Sequence, residues 1–280
     1  MAPPDAPSCL QASAGHPSAR SWDRRPPEGA GSVRALVLAA GQAIRLRPFT
    51  EETPKCLLEM GGKPILAHLL DALAGQGIED ALVVTGYLGE QIRTFARELS
   101  GQGCLPVTVV ENPRYAETNN LTSVWVAREA LLGSAFVILY ADILFDPDIL
   151  KGCLEGPGEI CLAVSRELYE ESKKVQARGT RVLAVSKTVP LAEATGTFLG
   201  IARFSKHGGQ LLYAEIEDLT RHGATDQYYT AAVERLIAKG VPVHCSVTTG
   251  LPWVDIDGPP ELRRAQEEIL PKIAATHFSR

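Results

Sequence analysis

From Val33 onward, short apolar runs alternate with longer segments whose apolar residues recur every three or four positions. The runs at 33–38, 81–85, 107–110, 135–140 and 160–164 read as buried strands. Between them, 64–74, 90–99, 120–132 and 147–153 read as helices. Pro64 stands in the first turn of its helix and Gly75 follows its end. Strands that alternate with helices predict right-handed βαβ units around a parallel sheet. Ligands of such sheets sit outside the carboxyl ends of the strands. Past residue 165 the texture changes. Segments 174–177 and 181–186, joined at Gly179-Thr180, read as a hairpin, and 197–204 as a further strand. Segments 205–222 and 225–238 read as helices, the second ended by Gly240. A strand at 241–247 and a helix at 259–270 follow, with Glu261 in the first turn where it suits the helix dipole. The pattern predicts an α/β fold, a three-layer, mostly parallel sheet flanked by helices, with a smaller hairpin and helix lobe in the second half.

Composition adds boundaries to this picture. Pro, Gly, Ser and Ala make up 20 of residues 1–32, whose charges cancel. Such a segment cannot bury enough apolar area to offset its ordering entropy, so a disordered leader is expected there. It has no apolar stretch of signal-peptide length, and its acids argue against a transit peptide. No run reaches the ~18 apolar residues of a membrane helix. The net charge of −5 excludes a general nucleic-acid or membrane surface. The six cysteines never form C-x-x-C, which excludes a zinc ribbon or redox pair and points to buried free thiols in a reducing cytoplasm. The histidines are scattered, and His68 and His244 read as structural or exposed.

Candidate chemistry concentrates in three places. The first is Leu36-Val37-Leu38-Ala39-Ala40-Gly41-Gln42-Ala43-Ile44-Arg45-Leu46-Arg47-Pro48-Phe49-Thr50, followed by Thr53-Pro54-Lys55. An apolar strand ends in small residues, which lets backbone N–H groups approach a polyphosphate while nearby cations balance its charge. The second is Asp142, directly after the strand at 135–140 and so on the ligand rim, whereas Asp146 before Pro147 reads as a helix cap. The third is Trp253-Val254-Asp255-Ile256-Asp257-Gly258. Residues i and i+2 of a strand share a face, so Asp255 and Asp257 would point together, with a divalent cation the economical way to hold them there. Alternatively, Asp257 caps the helix at Pro259.

The first segment resembles the nucleotidyltransferase signature L-A-A-G-x-G-x-R-L-x-P-x-T-x-x-x-P-K, matched at Ala39, Ala40, Gly41, Arg45, Leu46, Pro48, Thr50, Pro54 and Lys55. Ala43 stands where the family has its second glycine, a substitution expected to require φ below zero. Gly86-Tyr87-Leu88-Gly89-Glu90-Gln91-Ile92, Glu111-Asn112-Pro113-Arg114-Tyr115 and Thr118-Asn119-Asn120-Leu121-Thr122-Ser123-Val124-Trp125 are similar to the phosphocholine cytidylyltransferase branch. The resemblance implies a Rossmann-like domain over 33–272, with a nucleotide-binding half (33–164), a substrate and metal half (165–257) and a C-terminal helix (258–272). It implies Mg²⁺ held by Asp142 with Asp255 or Asp257, and transfer of CMP from CTP to a small phosphate or phosphonate acceptor with release of pyrophosphate. Arg45 would hold the leaving phosphates and Lys55 would bridge the α-phosphate and the incoming oxygens. Leu38, Ala39, Ala40, Gly41, Gln42, Ala43, Thr85, Gly86, Tyr87 and Asn120 would hold the nucleotide. Asn119, Tyr115, Trp125, Lys187, Glu193, Tyr228 and Trp253 would meet the acceptor, Lys187 by likeness to a phosphate-contacting lysine. A quaternary ammonium acceptor calls for an aromatic cage, and a primary amine for carboxylates such as Glu193 or Asp226. A homodimer is compatible with the sequence. The alternatives are a sugar-1-phosphate enzyme using UTP or dTTP, and a non-catalytic nucleotide-binding module. A dinucleotide oxidoreductase has no use for Arg45, Lys55 and the aspartates together, and Ala43 breaks its glycine pattern.

Overall fold

The computed structural model describes residues 33–100 and 104–278, and the leader expected over 1–32 lies outside them. The elements run β1 (Val33–Ala39), β2 (Glu59–Met60), β3 (Lys63–Pro64), α1 (Ile65–Gly75), β4 (Ala81–Thr85), α2 (Gly89–Ser100), β5 (Val107–Glu111), α3 (Asn120–Val126), α4 (Arg128–Leu131), β6 (Ala135–Tyr140), β7 (Ile143–Phe145), α5 (Pro147–Leu154) and β8 (Ile160–Ser165). There follow β9 (Lys174–Arg178), β10 (Arg181–Ser186), β11 (Gly196–Phe204), α6 (Lys206–Arg221), α7 (Thr230–Ala238), β12 (His244–Thr248), β13 (Trp253–Asp255), α8 (Pro259–Arg264) and α9 (Leu270–Phe278).

A nine-stranded sheet has the order β5-β4-β1-β6-β11-β8-β12-β10-β9. From β5 to β6 every neighbour is parallel, as the alternation predicts. β11 then runs antiparallel to both β6 and β8. No crossover helix separates β8 from β11, only the hairpin β9–β10, and without a crossover the chain returns antiparallel. The hairpin extends this end of the sheet, β10 pairing with β12 and β9 with β11. Successive side chains of β1 leave by opposite faces. Leu36 joins Leu121, Val124, Leu212, Ile216 and Val233 from α3, α6 and α7. Ala35 and Val37 join Leu66, Leu69, Leu73, Ile92 and Leu150 from α1, α2 and α5. The three-layer α/β class expected from the pattern is therefore the observed one, each buried leucine or valine contributing roughly 1.5–3 kcal/mol.

Several element boundaries differ from expectation for identifiable reasons. The helix expected from 225 starts at Thr230. The preceding residues serve the start of α3 instead: Asn119 N–H donates to Thr225 O at 3.0 Å and Leu121 N–H to Gln227 O at 3.1 Å. A helix N-terminus leaves such donors unsatisfied, and this loop satisfies them. The helix expected at 120–132 tightens at Ala127, which divides α3 from α4. The strand expected from 241 starts at His244. The last helix continues past Leu270 because a π-helical turn at Ala265–Ile269 precedes Pro271, whose ring and missing N–H would otherwise break it. Two short pairings escaped the sequence: β2 with β3, and β7 with β13. The second builds the site.

Candidate active site

β7 and β13 form an antiparallel ribbon beyond the end of β6, with Asp255 opposite Ile143. Ile256 N–H donates to Asp142 O at 3.0 Å. The ribbon thereby sets Asp142, from the first half of the chain, beside Asp255 from the second. Val254 and Ile256 point the other way, into an apolar cluster with Leu46, Ile65, Leu144 and Ile269. The strand ends at Asp255, but the alternation persists and Asp257 returns to the same side. One carboxylate oxygen from each of Asp142, Asp255 and Asp257 lies within 4.8 Å of the other two. Asp257 does not cap the final helix, whose N-cap is Gly258 with no side-chain bond. Asp146 is a cap, accepting from Asp148 N–H at 3.0 Å.

Two cations lock onto this acidic group. Lys55 Nζ donates to Asp142 Oδ2 at 2.8 Å and reaches Asp257 Oδ1 at 3.5 Å. Arg45 pairs with Asp257 Oδ2 at 2.9 Å. Burial disfavours the Lys55 ammonium, but Asp142, Asp255 and Asp257 outweigh it and hold its pKa above the usual lysine value. Asp255 is the opposite case. Burial raises its carboxyl well above the usual range, and the neighbouring Asp142 and Asp257 raise it further. Asp142 Oδ1 and Asp255 Oδ1 are buried without a hydrogen-bond partner. Orphaned carboxylate oxygens are costly, and an all-oxygen set of this kind suits a hard divalent cation.

The loop that brings the cations here is held from within. Ala43 O accepts from Leu46 N–H at 3.0 Å and from the buried Thr50 hydroxyl at 2.9 Å. Ala43 itself has φ 47° and ψ 46°, which corrects the expectation of a negative φ. The reversal that aims Arg45 at Asp257 demands the left-handed region, where a non-glycine residue costs about 1–2 kcal/mol. Arg47 is exposed.

A cavity of about 460 Å³ runs from this loop across the acidic group. Its lining includes Leu38, Ala39, Ala40, Gly41 and Ala43, together with Tyr115, Asn119 and Asn120. Gln42, Thr85, Gly86 and Tyr87 do not line it. They support it: Thr85 is buried beneath the rim, and Tyr87 Oη donates to Glu51 O at 2.9 Å, tying down the Arg45–Lys55 loop. Gly86 lets Tyr115 approach, since a Cβ at Gly86 would lie 2.5 Å from Tyr115 Cβ and 2.8 Å from Ala40 O. Asn120 Oδ1 accepts from Tyr229 N–H at 2.8 Å, so its side chain also orders the loop before α7. Asn112, not singled out from the sequence, also lines the cavity and is buried. Its amide donates to Thr118 and Ser123 hydroxyls at 3.2 Å, and its Oδ1 accepts from Arg114 N–H.

Lys173, Lys187, Phe198, Tyr228 and Trp253 also line the cavity. Sequence reasoning missed Lys173. The signal was the pair Lys173-Lys174 at the start of a strand: Lys174 turns inward, its ammonium capping Glu170 O and Ser172 O, so its neighbour faces the cavity. Trp125 and Glu193, expected to meet the acceptor, lie outside it. Trp125 packs against the core under the Arg128 guanidinium, 4.3 Å from the ring centroid. Glu193 is exposed and accepts from Gln176 at 3.2 Å. Among the described residues no helix is long and apolar enough to cross a membrane.

Known proteins share this architecture and sequence. The inositol-1-phosphate CTP transferase from T. maritima superposes with a TM-score of 0.74 over 87% of this chain and 96% of its own, at 22% identity. The CTP:phosphocholine cytidylyltransferase from Streptococcus pneumoniae gives a TM-score of 0.67 over 84% of this chain and 98% of its own, at 25% identity. In sequence, the CMP-5'-(3-aminopropyl)phosphonate synthase of Streptomyces rubellomurinus is 33% identical over 85% of this chain and 39% of its own length. The choline-phosphate cytidylyltransferase of Streptococcus pneumoniae is 38% identical over 40% of this chain and 46% of its own length. The chain thus spans about half or less of the length of these relatives. The model of the MobA-like NTP transferase domain matches residues 35–210, and with the resemblance of the Arg45–Lys55 loop thereby borne out, the chain belongs to that nucleotidyltransferase family.

Proposed function

We propose that the protein is a Mg²⁺-dependent cytidylyltransferase that joins CMP from CTP to a small phosphonate or phosphate acceptor and releases pyrophosphate. The observation that carries this reading is the junction of Lys55 and Arg45 with Asp142, Asp255 and Asp257 at the mouth of a small-residue loop. Neither a binding module nor an oxidoreductase needs three carboxylates there. Their all-oxygen donor set and the two orphaned buried oxygens fit Mg²⁺, which when bound supplies charge neutralisation for the phosphates. The choice of cytosine rests on the resemblance and on the relatives named as cytidylyltransferases. A phosphonate acceptor has support from a relative named for one.

An acceptor phosphonate oxygen is already a nucleophile, so no side chain has to become one. That oxygen forms a bond to the α-phosphorus of CTP as the bond from the α-phosphorus to the bridging oxygen breaks, and the electron pair leaves with pyrophosphate. Arg45, 65% exposed at the cavity mouth, neutralises the departing phosphates. Lys55, 12% exposed and fixed beside Asp142, holds the oxygens around the α-phosphorus. Backbone groups from Ala39 to Gly41 and the wall from Asn112 to Asn120 position the nucleoside in this reading, which moves Tyr115 and Asn119, first expected at the acceptor, to the nucleotide side. Catalysis here is positioning and charge stabilisation.

The test is a pyrophosphate-release screen crossing CTP, UTP, ATP, GTP and dTTP with aminoethylphosphonate, 3-aminopropylphosphonate, phosphocholine and sugar 1-phosphates. Turnover with CTP and a phosphonate is expected. Turnover only with UTP or dTTP and a sugar 1-phosphate would reassign the protein to the sugar branch. Nucleotide binding with no release from any acceptor would leave a regulatory module.

A further inference from the structure

Two lysines, Lys173 and Lys187, line the cavity, and neither has an acidic partner among the ion pairs of the described residues. Lys173 Nζ lies 3.3 Å from the Tyr228 ring centroid and 5.5 Å from that of Tyr140, and donates to Tyr140 Oη at 3.2 Å. Lys187 Nζ lies 5.9 Å from the same Tyr228 ring. Two ammonium groups thus share one aromatic platform and face the cavity. Cation–π contact offsets part of the desolvation of one ammonium, but not the repulsion between two. No carboxylate among the described residues stands within ion-pair distance of either ammonium, so an anion bound in the cavity would meet both.

We propose that Lys173 and Lys187 together seat the acceptor's phosphonate or phosphate group, with Tyr228 as the platform that holds both and Lys173 as a specificity-determining residue. The proposal rests on the nucleotidyl-transfer reading above. Lys187 alone resembles a known phosphate contact; Lys173 is added by this structure. The same geometry bears on what else the acceptor carries. The Tyr228 face is covered by Lys173 and the Trp125 face by Arg128. A quaternary ammonium group would have to compete with these cations for those two faces, whereas the anion meets both lysines.

Proton linkage supports the seat. Burial and then Lys187 lower the Lys173 pKa to about 7, against the opposing pull of Asp255, Glu234 and Asp142. Tyr140 and Tyr228 also face it, and burial holds Tyr140 neutral. Above neutral pH the empty cavity holds an uncharged Lys173, which takes up a proton when the anion arrives. The acceptor KM therefore rises as pH increases from 6.5 to 8.5.

The experiment compares the full chain with Lys173→Met and Lys173→Arg, using CTP and whichever acceptor turns over, together with calorimetric titration of methylphosphonate without nucleotide. Lys173→Met should raise the acceptor KM roughly ten- to a hundredfold, the effect of losing a charge-assisted hydrogen bond, and leave the CTP KM within about twofold. Lys173→Arg should restore most of the affinity and flatten the pH dependence, because arginine stays charged. A Lys173→Met effect on CTP rather than on the acceptor, or on neither, overturns the seat. If no acceptor turns over, the transfer reading fails, yet methylphosphonate binding that Lys173→Met abolishes still supports the seat. If the wild type turns over an acceptor but methylphosphonate binds it and Lys173→Met equally, the seat fails and the transfer reading stands. Should Lys173→Met lower the thermal midpoint, Lys173→Gln replaces it in the same comparisons.

Discussion

Replacing Ala43 with glycine should stabilise the protein, although it removes a methyl group. Ala43 sits at φ 47°, a conformation that costs an L-residue about 1–2 kcal/mol and glycine almost nothing. Glycine returns about 0.5–1 kcal/mol of that gain through the greater freedom of its unfolded chain. Ala43 also packs partly against the cluster under the C-terminal helix, so the lost methyl removes up to about 0.5 kcal/mol more at half burial. The two hydrogen bonds to its carbonyl are backbone features and survive. The net is a gain of about 0.5 kcal/mol, which for a domain of this size is about 1–2 °C in the midpoint of thermal unfolding. Differential scanning calorimetry of wild type, Ala43→Gly and Ala43→Val reads it directly. The valine variant should fall by several degrees, since a β-branched residue tolerates the left-handed region least. A glycine variant that melts earlier than wild type, alongside a valine variant that does not, would refute a left-handed residue at this turn.

Other consequences follow from the same contacts. Lys55→Met leaves Asp142 without its cation, which should destabilise the metal-free protein by about 1–3 kcal/mol, the buried-pair penalty discounted for carboxylates that are 31% and 44% exposed. Thermal melts in EDTA and in Mg²⁺ check this, and identical melting of variant and wild type in EDTA would sink it; kcat/KM should fall by at least about a hundredfold. Gly86→Ala should displace Tyr115 and raise the CTP KM, and an unchanged CTP KM would show that Tyr115 does not shape the nucleoside wall. Lys173 has a folded pKa below its unfolded one, so its charge opposes folding fully below pH 7 and ceases to do so as pH rises toward 10.5. Lys173→Met should therefore melt above wild type at pH 6.5, with the gap closing by pH 10; a gap independent of pH would contradict the linkage.

The parallel half of the sheet and its helices were legible because apolar period and turn residues agree there: Leu36 and Val37 go to opposite layers in strict alternation. The loop and its cations were legible for another reason, as Arg45 and Lys55 stand in a long, specific pattern. What escaped was created by contacts distant in sequence. The β7–β13 ribbon joins two three-residue strands more than a hundred residues apart, and the alternation at 253–257 does not announce its partner. The late start of α7 reflects hydrogen bonds made to α3, which local propensity cannot see. The surroundings of the aromatic rings were equally hidden. Trp125 and Tyr228 are present as expected, but each ring is covered by a cation of the chain itself. Ala43 is the reverse case: the letter looked like a departure from the glycine pattern, while the backbone keeps the glycine conformation and tolerates the strain.

The charge balance at the centre predicts how ligands enter. Three carboxylates face two cations, so each cation is already engaged: Lys55 with Asp142 and Asp257, Arg45 with Asp257. A triphosphate competes for the cations, and a divalent metal competes for the carboxylates. A triphosphate arriving alone draws Lys55 and Arg45 off their carboxylates, and a metal arriving alone meets Asp142 and Asp257 already held by cations. Together, each takes up the partner the other releases. Metal and nucleotide should therefore bind with positive coupling, within the roughly 5–150-fold range common for linked sites, and reciprocally. Titration of Mg²⁺ into the protein, alone and saturated with a non-reacting CTP analogue, measures the factor once Mg²⁺ binding to the free analogue is subtracted. Asp255→Asn should weaken Mg²⁺ in both titrations. Lys55→Met should strengthen Mg²⁺ binding in the absence of nucleotide, because the metal no longer has a lysine to displace. Equal Mg²⁺ affinity in wild type and Lys55→Met would mean that the ammonium and the metal do not compete for Asp142, and the pairings would then coexist rather than exchange.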